Sequence, residues 1–306
     1  MKKVEKATNN VCKEFNPLHN PVFGPSHTFK KNKDKIINAH KKKKIFKYKK
    51  RLFQWLKSNT DQSVPVFICG EQRSGTNLLI NTLNRSFHTE CFLEEDEEAF
   101  SNYVLKEKEF IAKLIARSNA KVVAFKAISD SQNLISLLDY FPTAKGIWIF
   151  RHFNDVVNSS LRNFTEHKRY LYIMLFEPEK AGWRLQNVTQ ENLDLIKKFY
   201  KEGIDDASSR ALIWYLRNVL FFQQKLDFNQ KVILTKYENL VADPEIGFES
   251  IFQFLKINMD KKITNTVYAT SVRKNTPPEI IPEIKALCEN LHQQLISHTN
   301  DVTPHI

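Results

Sequence analysis

A buried strand running into a glycine turn and then into an apolar helix constrains this chain most. The stretch VFICGEQRSGTNLLINTL, from Val66 to Leu83, has that form. An apolar run ends at Gly70, a polar turn follows, and Leu78, Leu79 and Leu83 recur at helical spacing. Such a unit aims backbone N–H groups and a helix dipole at an anion. Gly70 and Gly75 frame G-x-x-x-x-G, the start of a Walker A loop, but Thr76-Asn77 stands where that loop needs Lys-Ser/Thr. The ligand is therefore phosphate-bearing and does not need a lysine on β- and γ-phosphates. Arg73, Ser74, Gly75, Thr76 and Asn77 are the residues placed to hold it. A glycine turn here also serves plain packing in many α/β proteins, so the loop needs support from the rest of the chain.

Three further apolar runs supply it. Residues 64–69, 121–125, 146–150 and 231–235 read as buried parallel strands, rich in β-branched and aromatic side chains. Helical patterns fall between them over residues 76–86, 103–117, 132–140, 155–164, 206–226 and 243–255, the last opened by an Asp243-Pro244 cap. The expected fold is α/β: a P-loop-like three-layer arrangement with a central parallel sheet flanked by helices. Ligands in such folds sit beyond the carboxyl ends of the strands. Arg151 follows the run GIWIF at such an end, and Ser159 lies 8 residues on, two helical turns away, so both can face one ligand. Residues 165–203 break the alternation with Tyr170, Tyr172, Phe176, Trp183 and Arg184. They read as an inserted substrate-side segment or as ordinary packing.

The 306 residues carry a net charge of +12, concentrated near the amino terminus. Lys41 to Lys44, Lys47, Lys49, Lys50 and Arg51 interleave with Ile45, Phe46, Leu52, Phe53, Trp55 and Leu56. A helix over residues 45–57 would be basic and amphipathic, suited to an anionic membrane or an acidic partner; a solvated arm is the plainer reading. We divide the chain into a basic arm and helix, residues 1–60, and a domain over residues 61–306. No nucleic-acid partner is expected. No run is long and apolar enough to span a bilayer, and no apolar signal segment follows the first lysines. Four scattered cysteines, Cys12, Cys69, Cys91 and Cys288, make neither a zinc pattern nor a disulfide framework. A cytoplasmic, reducing setting and no metal are expected; the sequons at Asn84, Asn158, Asn163 and Asn187 are then chance matches.

These motifs resemble those of PAPS-dependent sulfotransferases. RSGTNLL, from Arg73, is similar to their loop for the 5′-phosphosulfate of PAPS, and R-x7-S, from Arg151, to their 3′-phosphate site. VILTKYENLVADPEIGFESIFQFLKI, from Val232 to Ile257, resembles their third conserved stretch, and SVRKN, from Ser271 to Asn275, their late basic loop. The resemblance spans about residues 64–290 and is nearest to the Arg-type branch, which includes tyrosylprotein and many bacterial sulfotransferases. The branch that acts on small phenols and steroids places a catalytic His two residues after a Lys. Here Lys126 is followed at that place by Ile128.

The resemblance implies transfer of a sulfuryl group from PAPS to an acceptor hydroxyl, with release of PAP. It implies Arg73 and Lys126 on the sulfuryl and bridging oxygens, and Arg151, Ser159, Arg273 and Lys274 on the 3′-phosphate, with Tyr237 near the adenosine. A Glu downstream of the loop serves as base in that branch, which makes Glu94 and Glu95 of FLEEDEEAF the candidates; Asp96, Glu97 and Glu98 suit a solvated face. The branch's further Arg falls here on Asn163, with Arg162 beside it. His88 is the candidate if neither carboxylate acts. A P-loop nucleotide kinase and a non-catalytic basic scaffold are the alternatives; the kinase lacks its Walker lysine and a clear magnesium-binding Asp. The acceptor stays open among carbohydrates, tyrosine, lipids and small alcohols.

Overall fold

Alternation of side chains along a strand decides which layer each residue feeds. A computed structural model describes residues 44–57, 62–269 and 272–299. The chain divides into two units, Met1–Lys50 and Arg51–Ile306. In the first unit the described residues 44–50 are helical. The expected arm over residues 1–43 lies outside the described residues, as does Ser271 of the late basic loop.

In the second unit residues 51–56 are helical too; the helical residues of both units, 44–50 and 51–56, are labelled α1. Its Gln54 side chain donates to the carbonyls of Phe87 and Thr89 at 3.0 and 2.9 Å, and Phe53 meets Phe87 edge-on. Then come β1 (Val64–Gly70), α2 (Thr76–Leu83), β2 (Thr89–Phe92), a hairpin of β3 (Phe100–Ser101) and β4 (Val104–Leu105), α3 (Lys108–Arg117) and β5 (Val122–Lys126). After α4 (Leu134–Tyr140) follow β6 (Lys145–Phe150), α5 (Phe153–Asn163), α6 (His167–Phe176), α7 (Gln190–Phe199), α8 (Asp206–Gln223), β7 (Val232–Lys236), α9 (Tyr237–Ala242), α10 (Pro244–Leu255) and α11 (Pro282–Ser297).

Among the described residues five strands pair in parallel in the order β2-β5-β1-β6-β7, with β1 central. Phe67 and Cys69 of β1 join a core with Trp148, Trp214 and Leu291, beneath α4, α5, α8 and α11. Val66 and Ile68 point the other way, into a core with Leu79, Ile80, Phe248 and Phe252 from α2 and α10. These are the three layers expected from the apolar runs. All five strands end at one edge, so Gly70, Phe92, Lys126, Phe150 and Lys236 form a row of chain exits along it.

Several local expectations are corrected. Residues 103–105 are not helical: Asn102 and Tyr103 adopt left-handed backbone (φ 49° and 66°), and the Asp130 carboxylate accepts the Leu105 N–H at 2.9 Å, holding β4 in the hairpin. Residues 128–133 form a 3₁₀ turn before α4. The long helix α8 stops at Gln223, just before a left-handed residue at Lys225 (φ 53°). The segment 165–203 holds two regular helices, α6 and α7. The edge strand β2 and the terminal helix α11 add to the expected elements. The Asp243 cap stands as expected, accepting from the Ile246 N–H at 3.1 Å.

Candidate active site

The loop after β1 is shaped by two glycines that nothing larger replaces. A Cβ on Gly70 (φ 132°) would lie 2.2 Å from the Ile149 carbonyl oxygen on β6. A Cβ on Gly75 (φ 98°) would lie 2.2 Å from the Tyr237 ring. Gly75 caps α2, so the loop leads directly onto the amino end of that helix. Ser131 Oγ receives the Gly70 N–H at 3.0 Å. Ser74 Oγ is buried and meets no hydrogen-bond partner among the described residues.

Beneath the loop lies a buried ion network that sequence reasoning missed. Glu71 is 4% exposed. Its Oε1 pairs with Arg210, and its Oε2 lies 3.5 Å from Nε of Arg217. Arg210 also donates to Ser160 Oγ at 3.0 Å, and Arg217 donates to Gln132 Oε1 and the Ile128 carbonyl at 3.1 and 3.0 Å. Arg210, Trp214 and Arg217 share one face of α8, and the Trp214 indole N–H donates to the Arg151 carbonyl at 3.1 Å. A single helix thus braces both the loop and the chain exit of β6.

Above the loop, one cavity of about 290 Å³ gathers Arg73, Gly75, Thr76, Asn77, Glu94, Lys126, Arg151, Ser159 and Tyr237. Each arrives at or just beyond the carboxyl end of a strand, or on the helix that follows. Arg73 donates from Nε to Ser159 Oγ at 2.9 Å, tying the loop to α5. Arg151 pairs with Asp155 at 3.3 Å, and its guanidinium lies 4.6 Å from the centre of the Tyr237 ring. Burial, and then the neighbouring Arg151, Arg162 and Arg210, push the Arg73 pKa down. That crowding of cations is the electrostatic signature of an anion site.

At the other end of the cavity Lys126 Nζ lies 2.6 Å from Glu94 Oε2, the two side chains only 6% and 11% exposed. Burial raises the Glu94 pKa, an effect that Lys126 partly offsets. Glu95 is exposed and turns toward a second hollow with Tyr103 and Lys106. Asp130, also overlooked in the sequence, has its pKa pushed up to about 6 by burial. Ile128 lines the cavity.

The structure does not bring Arg273 and Lys274 into this cavity. The Arg273 backbone N–H donates to Asp155 at 3.2 Å and Asn158 donates to the Thr276 carbonyl at 3.0 Å, which fixes the segment with both basic side chains exposed. Arg162 and Asn163 are exposed near the end of α5. His88 is excluded from the site by topology: it precedes β2, and its carbonyl accepts from the first residue of β5, at the amino edge of the sheet.

The family model for the sulfotransferase domain matches residues 63–280. No curated protein matches the chain. Among solved structures, the sulfotransferase domain from the Synechococcus PCC 7002 olefin synthase is 16% identical and covers 77% of this chain and 97% of that chain, at a TM-score of 0.43. The sulfotransferase from Alicyclobacillus acidocaldarius is 15% identical over 78% of this chain and 94% of that chain, also at 0.43. Mouse sulfotransferase SULT7A1, complexed with PAP, is 14% identical over 82% and 90%, at 0.42.

Proposed function

The chain belongs to the sulfotransferase family, and we propose that it moves a sulfuryl group from PAPS to an acceptor hydroxyl with Glu94 as the general base. The observation that carries this assignment is the buried Lys126–Glu94 pair at 2.6 Å, set in the same cavity as the glycine loop and Arg151. PAPS supplies the sulfuryl group, and PAP departs. The residues present fit that donor: two guanidiniums and an ammonium around a loop of backbone N–H groups, with no lysine of the Walker type.

Each group then has one task. The N–H groups of residues 73–77 and the start of α2 hold the 5′-phosphosulfate. Arg151 and Ser159 hold the 3′-phosphate, and Tyr237 packs near the adenosine. Glu94, made more basic by burial, takes the proton of the acceptor hydroxyl as that oxygen bonds to sulfur. Lys126 and Arg73 neutralise charge on the sulfuryl and bridging oxygens as the sulfur–oxygen bond to the departing phosphate breaks. Formation of PAP from PAPS and acceptor pools, with ATP as control, tests the scheme; PAP binding without turnover would favour a scaffold, and ATP turnover a kinase. The acceptor hydroxyl belongs to a carbohydrate, a tyrosine, a lipid or a small alcohol, and the acceptor pools span these classes. The described cysteines Cys69, Cys91 and Cys288 are free thiols.

For the helix α1 we keep the docking role. In the first unit Ile45 and Tyr48 are exposed beside Lys44, Lys47 and Lys49; in the second, Leu52, Trp55 and Leu56 are exposed beside Arg51. No helix among the described residues is long and apolar enough to cross a membrane. Removing residues 1–50, which leaves Phe53 and Gln54 in place, should weaken binding to acidic vesicles at low salt. Full-length protein that ignores such vesicles would leave the arm a solvated extension.

A further inference from the structure

A second cavity, of about 420 Å³, opens where the amino end of α5, the carboxyl end of β7 and α11 meet. His152, Glu238, Glu289 and His292 line it, and the transfer scheme uses none of them. Glu289 and His292 stand three residues apart on α11, a spacing that puts both on one helix face. His152 comes from the residue that caps α5. Its Nε2 lies 3.9 Å from Glu289 Oε2, and His292 Nδ1 lies 4.0 Å from Glu289 Oε1. The two imidazoles meet at 4.5 Å between centroids. One ligand atom from each of the three side chains falls within 4.8 Å of the others.

His292 is the independent pointer. It is 3% exposed, and neither ring nitrogen meets a hydrogen-bond partner among the described residues. Burying an imidazole with both nitrogens unpaired is costly unless something else engages them. Glu238 Oε2 and Asn154 Oδ1, on the same cavity wall, are also buried and unpaired.

We propose that His152, Glu289 and His292 bind one divalent transition-metal ion, zinc in the first instance, with water as the fourth ligand. Two imidazoles and a carboxylate form a zinc set with an open position; the imidazoles select against magnesium and calcium. Zinc bonds of about 2.0–2.2 Å hold ligand atoms roughly 3.3–3.6 Å apart, so ligand atoms that now lie within 4.8 Å of one another close by up to about 1.5 Å. Ligation through Nε2 moves the His152 proton to Nδ1. That exchanges the cap it now accepts from the Asn154 N–H, at 3.2 Å, for a metal bond. Arg273 and Lys236 line the cavity and oppose a dication, but Arg273 is exposed, and Glu289 and Glu238 set two carboxylates against them. The metal would tie α11 to α5, the helix that carries Asp155 and Ser159.

The test uses full-length, untagged protein stripped with a chelator and then titrated with zinc ions against a chromophoric competitor. One equivalent should bind, and zinc at about a hundred times its Kd should raise Tm by several degrees, with no rise from magnesium. A variant at buried His292 risks unfolding, so two others carry the test. Glu289→Gln removes the charge, and His152→Asn removes a ligand while keeping a residue that caps helices well. Each should weaken zinc at least about tenfold, while His298→Ala should not. Unchanged zinc affinity in both variants, an equal Tm rise with magnesium, or no binding by folded wild-type protein at micromolar zinc would overturn the assignment.

Discussion

Replacing Glu94 by Gln removes a proton acceptor while keeping its shape and an oxygen that Lys126 can still donate to. A general base typically contributes about 10²–10⁴-fold in rate, or about 2.7–5.4 kcal/mol of barrier. Turnover of Glu94→Gln should therefore fall at least about a hundredfold, with PAP affinity close to wild type because Glu94 lies at the Lys126 end of the cavity. The pH profile gives an independent reading. Burial raises the folded pKa of Glu94 above its ordinary value of 4.5, so wild-type activity should fall on acidification at a pH above that value, and the variant should lack that limb. The sign for stability runs the same way. Protonated Glu94 favours the fold below the unfolded pKa, and that contribution is lost as pH rises through the raised folded value. Glu94→Gln mimics the protonated acid, and the desolvation cost it removes works against the counter-charge lost from buried Lys126, so its Tm at neutral pH should stay near wild type. The assay is PAP release with one acceptor found in a pooled screen, alongside calorimetry with PAP, thermal unfolding and Glu95→Gln. Near-normal turnover in Glu94→Gln, an unchanged acid limb, or an activity loss that appears only with a collapse in Tm would refute the reasoning.

Two other outcomes follow from the geometry. PAP should bind more tightly than 5′-AMP by at least about tenfold, or about 1.4 kcal/mol, and Arg151→Ala should erase most of that difference in calorimetry. Equal affinities in the wild type would remove Arg151 and Ser159 from donor binding. Gly75→Ala places a Cβ 2.2 Å from the Tyr237 ring at a φ of 98°; strain of order 1–3 kcal/mol should lower Tm by several degrees in a thermal melt and weaken PAP, and a variant that melts like wild type would show that the loop relaxes freely.

The parts of this protein legible in its sequence are those written in one short stretch each. The strand–loop–helix unit, R-x7-S and the Asp-Pro cap are local patterns, and each stands where its spacing puts it. What the sequence hid is carried by pairs far apart along the chain. Glu71 meets Arg210 across 139 positions, and no window joins them. Strand β2 was invisible because TECF is four residues long and carries a charge at Glu90; yet β2 is what delivers Glu94 to Lys126. Helix α11 did leave a trace in the apolar spacing of Ile284, Cys288, Leu291 and Leu295, all buried in the core. The lysine-rich arm drew attention by composition alone, whereas the buried guanidiniums that shape the loop add little to any charge count.

The Glu71 network seals two guanidiniums and a carboxylate under the loop, with the buried Asp130 carboxylate within reach of Arg217. Arg210 and Arg217 are 4% and 3% exposed, and the influence of Arg210 already reaches Arg73. Mobile ions screen exposed charges over about 8 Å at physiological ionic strength but reach a buried charge far less. The field of the loop is therefore largely built in, whereas that of the surface lysines depends on the medium. Raising the salt concentration should release the arm from an anionic surface long before it empties the donor site, so the two kinds of positive charge in this chain answer to different ionic conditions.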